Sequence, residues 1–376
     1  MLVNKSFVSK MRSSESVSHF EMVKFNSSEY FDTCWMKIDS RSTSSLLPSY
    51  DTSFVYDETE SIVAGYVSAL QSIFGTILNI LVIYTTLRNN KLRNEYLTPS
   101  IISISLADLL FCMISLPIIS LHFLLRDAPY LAGCSLHGFI LYALWLCSAW
   151  NLFGVAILRY IAIYFPNKTD GKMFLRSCKL FPILAWVFPI LQLMPTLIGE
   201  YGQFGLQCKI LSCRFITVNR DGSRTNYDPH NTYGALVITI GLLMIILNVA
   251  TYLQVAKLSK FISTRMSAID AEKAAKISQR ERKIGTMFGI ITITFIIMYF
   301  LMSIMRLLIP NASITHTTGS IVCYLIAGSI GVIDPVVYMI FQKKIRNEVT
   351  KLFKPLYTPL KSIRKSSQND VCLDTK

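Results

Sequence analysis

Seven apolar runs alternate with short polar connections: 62–86, 98–123, 132–164, 180–199, 232–257, 284–309 and 318–341. About 20 residues of helix cross a hydrocarbon core, so each run is long enough to span. Only helices and closed barrels can span, and these runs are too long and continuous for barrel strands. The pattern predicts an all-α membrane protein, a seven-helix bundle over 61–342. Residues 1–60 are polar, Ser-rich and without a sustained period, which predicts a disordered tail. After the seventh run, FQKKIRNEVTKLF places Phe341, Ile345, Val349, Leu352 and Phe353 on one helical stripe. Lys343, Lys344, Arg346 and Lys351 fill the other face. That pattern predicts a short amphipathic eighth helix on the membrane surface over 343–354, ended by Pro355, with a cytoplasmic tail over 355–376.

Composition agrees. The chain has 376 residues, a mean hydropathy of +0.44, 52% hydrophobic residues and 16% charged ones, against about 25% charged in soluble domains. A net charge of +14 would raise nucleic acid as a partner, but its distribution argues against one. Basic residues gather in alternate connections, at 88–95, 165–179, 257–283 and beyond 341. The connection after the second run has only Arg126, and 310–317 has none; 200–231 is an exception, partly balanced by Glu200, Asp221 and Asp228. The positive-inside rule therefore puts the N-terminus outside and the C-terminus inside. The first 17 residues lack an apolar signal-peptide core, so the first membrane helix is expected to act as the insertion signal. Sequons at Asn4, Asn26 and Asn311 fall outside and are glycosylation candidates; Asn167 falls inside and should stay bare.

Cys134 and Arg159 are 25 residues apart, roughly 37 Å of helix, so they mark opposite faces of the membrane. Cys112, Cys147 and Cys323 lie within helices and read as packing residues. Cys178 and Cys372 are inside, hence reduced, whereas Cys34, Cys134, Cys208 and Cys213 are outside, where three pairings are open. Polar groups recur at membrane depth: Asn79, Asp108, Ser148 and Asp334. A carboxylate facing lipid is costly, so these should share the bundle interior as a cation-sensitive polar pocket. Pro335 removes a backbone donor within the seventh run and predicts a bend there. No metal-ligand spacing with histidine occurs.

In order and spacing these features resemble the rhodopsin-like (class A) G-protein-coupled receptors, over roughly residues 62–354. Asn79 resembles the asparagine of that family's first helix, Leu106-Ala107-Asp108 the motif of its second, and Trp186 the tryptophan of its fourth. Leu158-Arg159-Tyr160 stands where the family has Asp-Arg-Tyr, and Asp334-Pro335-Val336-Val337-Tyr338 resembles its NPxxY motif. The resemblance implies a disulfide from Cys134 to the second outer loop, with Cys213 favoured and Cys34 left to Cys208. It implies an activation switch of Arg159, Tyr160, Glu281, Tyr252, Asp334, Pro335 and Tyr338, with Glu281 pairing to Arg159 in the resting state. It also implies that a sodium ion can sit in the Asn79, Asp108, Ser148 and Asp334 pocket as a modulator; no other cofactor is expected. Departures are Leu158, Met244 in place of the fifth-helix proline, and Met298, Tyr299 and Leu301 in place of Cys, Trp and Pro. Within the family, the third helix and FGLQCKILSC resemble the invertebrate moody and trapped-in-endoderm group, with melatonin receptors as cousins.

The expected function is a ligand-controlled switch, not an enzyme, in the plasma membrane, with a heterotrimeric G protein as partner and arrestin and receptor kinases as possible further ones. Leu141, Tyr142, Trp145, Tyr299 and Arg306 are candidate ligand contacts, and Leu141 stands where amine receptors carry aspartate, which disfavours a monoamine. The competing classes are a seven-helix chemosensory channel, whose N-terminus would lie inside, and a transporter, which needs a repeat relating two halves. Five scattered histidines supply no membrane enzyme.

Overall fold

The computed structural model describes residues 58–125, 133–169, 171–207, 212–216, 229–265, 268–308, 315–352 and 354. Seven helices are long and apolar enough to cross a membrane. The first six are Glu58–Arg88, Thr98–Leu125, Cys134–Tyr164, Lys172–Ile198, Pro229–Arg265 and Ala268–Leu308. The seventh comes in two pieces, Thr315–Gly328 and Ile330–Phe341. The third is the axis. Of its most apolar stretch 61% is buried, against 22% for the first helix, and it packs on the second, fourth, fifth and sixth helices. Large apolar side chains left outside, such as Ile73, Phe74 and Ile77 on the first helix, form the surface that lipid covers.

The connection expected at 257–283 is mostly helix. The fifth helix runs on to Arg265 and the sixth begins at Ala268. The physical reason is local: DAEKAAKISQRERK is rich in strong helix formers, and Lys276 pairs with Glu272 one turn away at 2.6 Å. Apolar periodicity stops at the membrane edge, but helical propensity does not.

The second helix widens to a π turn over Phe111–Ser115, where the Leu116 N–H reaches the Phe111 carbonyl. Pro117, next in the chain, has no N–H and crowds the carbonyl four residues back, and a wider turn accommodates it. In the seventh helix the interruption falls at Ser329, six residues before Pro335, and the helix continues through the proline. Pro335 cannot bond the Gly331 carbonyl; the Asn79 side chain donates to that oxygen instead, at 2.8 Å.

Two strands had no counterpart in the apolar-run reading. β1 (Gln203–Gln207) and β2 (Ser212–Ile216) form an antiparallel hairpin with Leu206 opposite Cys213. Phe204 and Phe215 are buried on its bundle side. A helix follows Gln342 over 343–352, with Ile345 buried and Lys343, Lys344 and Arg346 exposed, as the stripe predicts. The tails, and with them Asn4, Asn26, Cys34, Cys208, Asn311 and Cys372, lie outside the described residues.

Candidate functional site

At one end of the bundle Arg159 is 2% exposed. Its Nη1 donates to Asn248 Oδ1 at 3.3 Å and its Nη2 to the Glu281 backbone carbonyl at 3.5 Å. The expected side-chain pair with Glu281 is replaced by a bond to that residue's main chain, and the Glu281 Oε2 has no hydrogen-bond partner among the described residues. Gly285 lies at the approach: a Cβ there would come 2.7 Å from Arg159 Nη2, so any larger residue would make the end of the guanidinium shift. Asn248 is held by its own Nδ2 bond to the Met244 carbonyl at 2.9 Å, which aims Oδ1 at the arginine.

Tyr252, expected in this switch, is 46% exposed and faces away from the bundle. Met244, Asn248, Thr251 and Val255 make the inward stripe of the fifth helix, and position 252 falls just off it. Asn248 was missed, although its spacing four residues from Met244 was the available signal. Tyr160 stacks on Tyr164, centroids 4.4 Å apart. Nearby, Glu95 Oε1 accepts from Lys344 Nζ at 2.6 Å and Arg280 Nη2 at 3.1 Å. One carboxylate before the second helix thus ties the sixth helix to the helix after the seventh. Beside it the Tyr96 phenol is pushed well above its usual range, first by burial and then by the charge of Glu281.

At mid-depth Asn79, fully buried, donates to the carbonyls of Gly75 and Gly331 at 2.9 and 2.8 Å. Ser148 Oγ donates to Asp108 Oδ1 at 3.4 Å. Asp108 Oδ2, Asp334 Oδ1, Ser115 Oγ and the Tyr338 hydroxyl are buried without a protein partner. The structure thus joins Asp108 to Ser148 and Asn79 to the turn that precedes Asp334. Pro335 is buried beside them, and Tyr338 packs edge-on against Phe288 at 6.4 Å.

At the opposite end Cys134 and Cys213 form the disulfide, Cα atoms 5.2 Å apart. It ties the hairpin to the third helix. Beneath lies a cavity of about 50 Å³, lined chiefly by Tyr142, Trp145, Phe215, Tyr233, Phe295 and Tyr299. Phe215 stacks between Tyr142, at 4.2 Å, and Tyr233, at 5.0 Å. Of the expected contacts, Tyr142, Trp145 and Tyr299 line this space. Leu141 does not; it is 1% exposed and packs with Ala107, Phe111 and Cys147. One position on a helix turns a side chain by about 100°, enough to move it from cavity to core. Arg306 is on the sixth helix, and its side chain lies outside the described ones. Phe215 and Tyr233 were missed; the alternating apolar residues of SCRFI were a weak signal for the first.

The family described as "7 transmembrane receptor (rhodopsin family)" matches residues 78–338, from beside Asn79 to Tyr338. The chain belongs to this family. The rhodopsin-family fold recurs in squid rhodopsin, which superposes with a TM-score of 0.68 at 18% identity, covering 84% of this chain and 91% of that one. Among relatives, "Protein trapped in endoderm-1" of Drosophila melanogaster is 24% identical over 50% of this chain and 46% of its own length. "G-protein coupled receptor moody" of the same species is 32% identical over 41% of this chain and 23% of its own length. "Melatonin receptor type 1B-B" of Danio rerio is 22% identical over 79% of this chain and 84% of that receptor. The matches to the two Drosophila proteins thus span half or less of each. Membership sets the chain among the multi-pass membrane proteins of that receptor family.

Proposed function

We propose that this chain is a plasma-membrane receptor, N-terminus outside, that couples an extracellular non-amine ligand to a heterotrimeric G protein. One observation carries the reading: a single helix serves both ends. Phe295, Met298 and Tyr299 line the cavity below the hairpin, while Glu281 and Gly285 of the same sixth helix hold Arg159. The 18 residues from Glu281 to Tyr299 cover roughly 27 Å.

A ligand that fits the cavity better when the sixth helix is displaced shifts the population toward that form by its differential affinity, and by no more. Displacement removes the Glu281 carbonyl from Arg159 and opens a cytoplasmic cleft for the G protein at Arg159, 165–179 and 257–283. The non-amine assignment rests on the lining: no side chain described around the cavity is a carboxylate that would hold an ammonium. Leu158 is apolar and fully buried, so it adds no acid to restrain Arg159, and substantial basal activity is expected.

The mid-depth oxygens suit a monovalent cation. Asp108 Oδ2 and Asp334 Oδ1 are hard donors lacking a partner, with Ser148 alongside. A sodium ion held there would supply counter-charge to two buried carboxylates and favour the closed form. Arrestin and receptor kinases are assigned to the C-terminal tail, where Ser362, Ser366, Ser367 and Thr375 supply acceptors. Outside, Asn4, Asn26 and Asn311 are the glycosylation sites in this topology.

The test is basal nucleotide exchange on a panel of G proteins, in membranes carrying the wild-type chain or Arg159→Ala at equal surface expression. Exchange present in the first and lost in the second supports coupling through Arg159. Equal exchange in both sinks it.

A further inference from the structure

Arg214 is the charged residue of β2, and no described acid lies within ion-pair reach of it. Its guanidinium lies over the ring of Tyr324 on the seventh helix, 5.0 Å from the centroid. Its Nε is buried and has no hydrogen-bond partner among the described residues. Arginine carries a fixed charge and a planar fork of donors that fits a carboxylate in two bonds. A cation–π contact attracts the charge but uses none of those donors. The position matters as much as the chemistry. Tyr324 is one turn from Ala327, which lines the cavity, and 6.4 Å ring to ring from Trp145, which also lines it. The Cys134–Cys213 disulfide, one residue from Arg214, fixes the strand there. A charge with an unpartnered Nε therefore stands over a ring that neighbours the cavity's Trp145, next in the chain to the cavity-lining Phe215, beside a space whose walls are aromatic and aliphatic.

We propose that the ligand is a small apolar molecule ending in a carboxylate, its body between Tyr142, Trp145, Phe215 and Tyr299 and its anionic end on Arg214. This rests on the reading of the cavity as the ligand site and names the ligand's chemical class. Tyr324 is then a positioning residue: its ring holds the guanidinium beside the cavity. An ammonium is disfavoured twice, by the arginine and by the lack of an acid in the lining.

The test uses the full receptor in membranes and two probes, octanoate and 4-phenylbutanoate, each with its methyl ester and the matching amine. Thermal stabilisation of the receptor and change in basal nucleotide exchange are read together. The acids should act at concentrations about tenfold to a hundredfold lower than the esters, the span expected for a charge-assisted bond. Arg214→Gln should erase that preference at equal surface expression, and Arg214→Lys should keep part of it. Tyr324→Leu should weaken the acids and spare the esters. Acids and esters acting equally, with both weakened by Tyr299→Ala, would overturn the carboxylate assignment and leave the cavity standing. Acids acting undiminished on Tyr299→Ala and Trp145→Ala would overturn the cavity itself. No response of the wild-type receptor to either acid at millimolar concentration also overturns the proposal.

Discussion

Glu95 offers the sharpest test of the closed form. Its carboxylate faces Lys344 at 2.6 Å and Arg280 at 3.1 Å, and only the second bond reaches the sixth helix. Glu95 is 22% exposed, but Arg280 and Lys344 are 56% and 49% exposed, so solvent screens both pairs. Pairs of this kind contribute about 0.2–1 kcal/mol each. The pair that reaches the sixth helix, Glu95 with Arg280, should contribute at most about 1 kcal/mol to the closed form. With RT near 0.59 kcal/mol, losing it multiplies a minor open population by about five. Glu95→Gln keeps the shape and removes the charge, so basal nucleotide exchange should rise up to about fivefold. Arg280→Ala should raise it similarly, and the double variant should exceed either single one by much less than the product. Raised ionic strength should raise wild-type exchange and leave Glu95→Gln unmoved, since the pairs lie within reach of salt. Unchanged basal exchange in Glu95→Gln, at equal surface level, would refute the idea that this carboxylate restrains the sixth helix.

Three further outcomes are expected. Asn79→Ala leaves the Gly331 carbonyl with neither the Pro335 donor it lacks nor the side-chain donor at 2.8 Å, costing about 1–2 kcal/mol; the half-denaturation temperature in detergent should fall by several degrees. Gly138→Ala puts a Cβ 2.9 Å from the Phe204 ring, an overpacking cost of about 1–3 kcal/mol by thermal denaturation, and Phe204→Ala in the same chain should restore much of it. In Asp108→Asn, replacing sodium by N-methylglucamine should no longer change basal exchange, whereas in the wild type it should raise exchange; a retained response in the variant would count against the cation site.

What was legible in the sequence follows from which physics acts locally. The seven spans could be read because lipid demands long apolar runs, and the ends of the first and third helices fall within a few residues of the hydropathy edges. The eighth helix could be read because its stripe is strict, and Ile345 is buried as that stripe requires. Asn79 and Pro335 were each visible, but that one supplies the donor the other lacks is a contact across 252 residues. Tyr252 shows the opposite limit: alignment by motif order set it in the switch, while its position on the helix turns it outward. The Arg159–Glu281 pair was placed on the right helices, yet Gly285 allows the guanidinium to reach the main chain in place of the carboxylate. The hairpin escaped notice because its two strands are five residues each, too short for a run of hydropathy to mark. Hydrogen bonding and register, not burial of an apolar run, define it.

The length of the sixth helix has a mechanical consequence. From Phe295, at the cavity, to Ala268 is 27 residues of unbroken helix, an arm of about 40 Å. A tilt of only about 10° about Phe295 would sweep the far tip by about 7 Å, while side chains within one turn of the pivot move by about 1 Å. The geometry is that of an oar with its rowlock near the handle. A ligand need not reshape its surroundings; it need only favour one small angle, and stiffness does the rest.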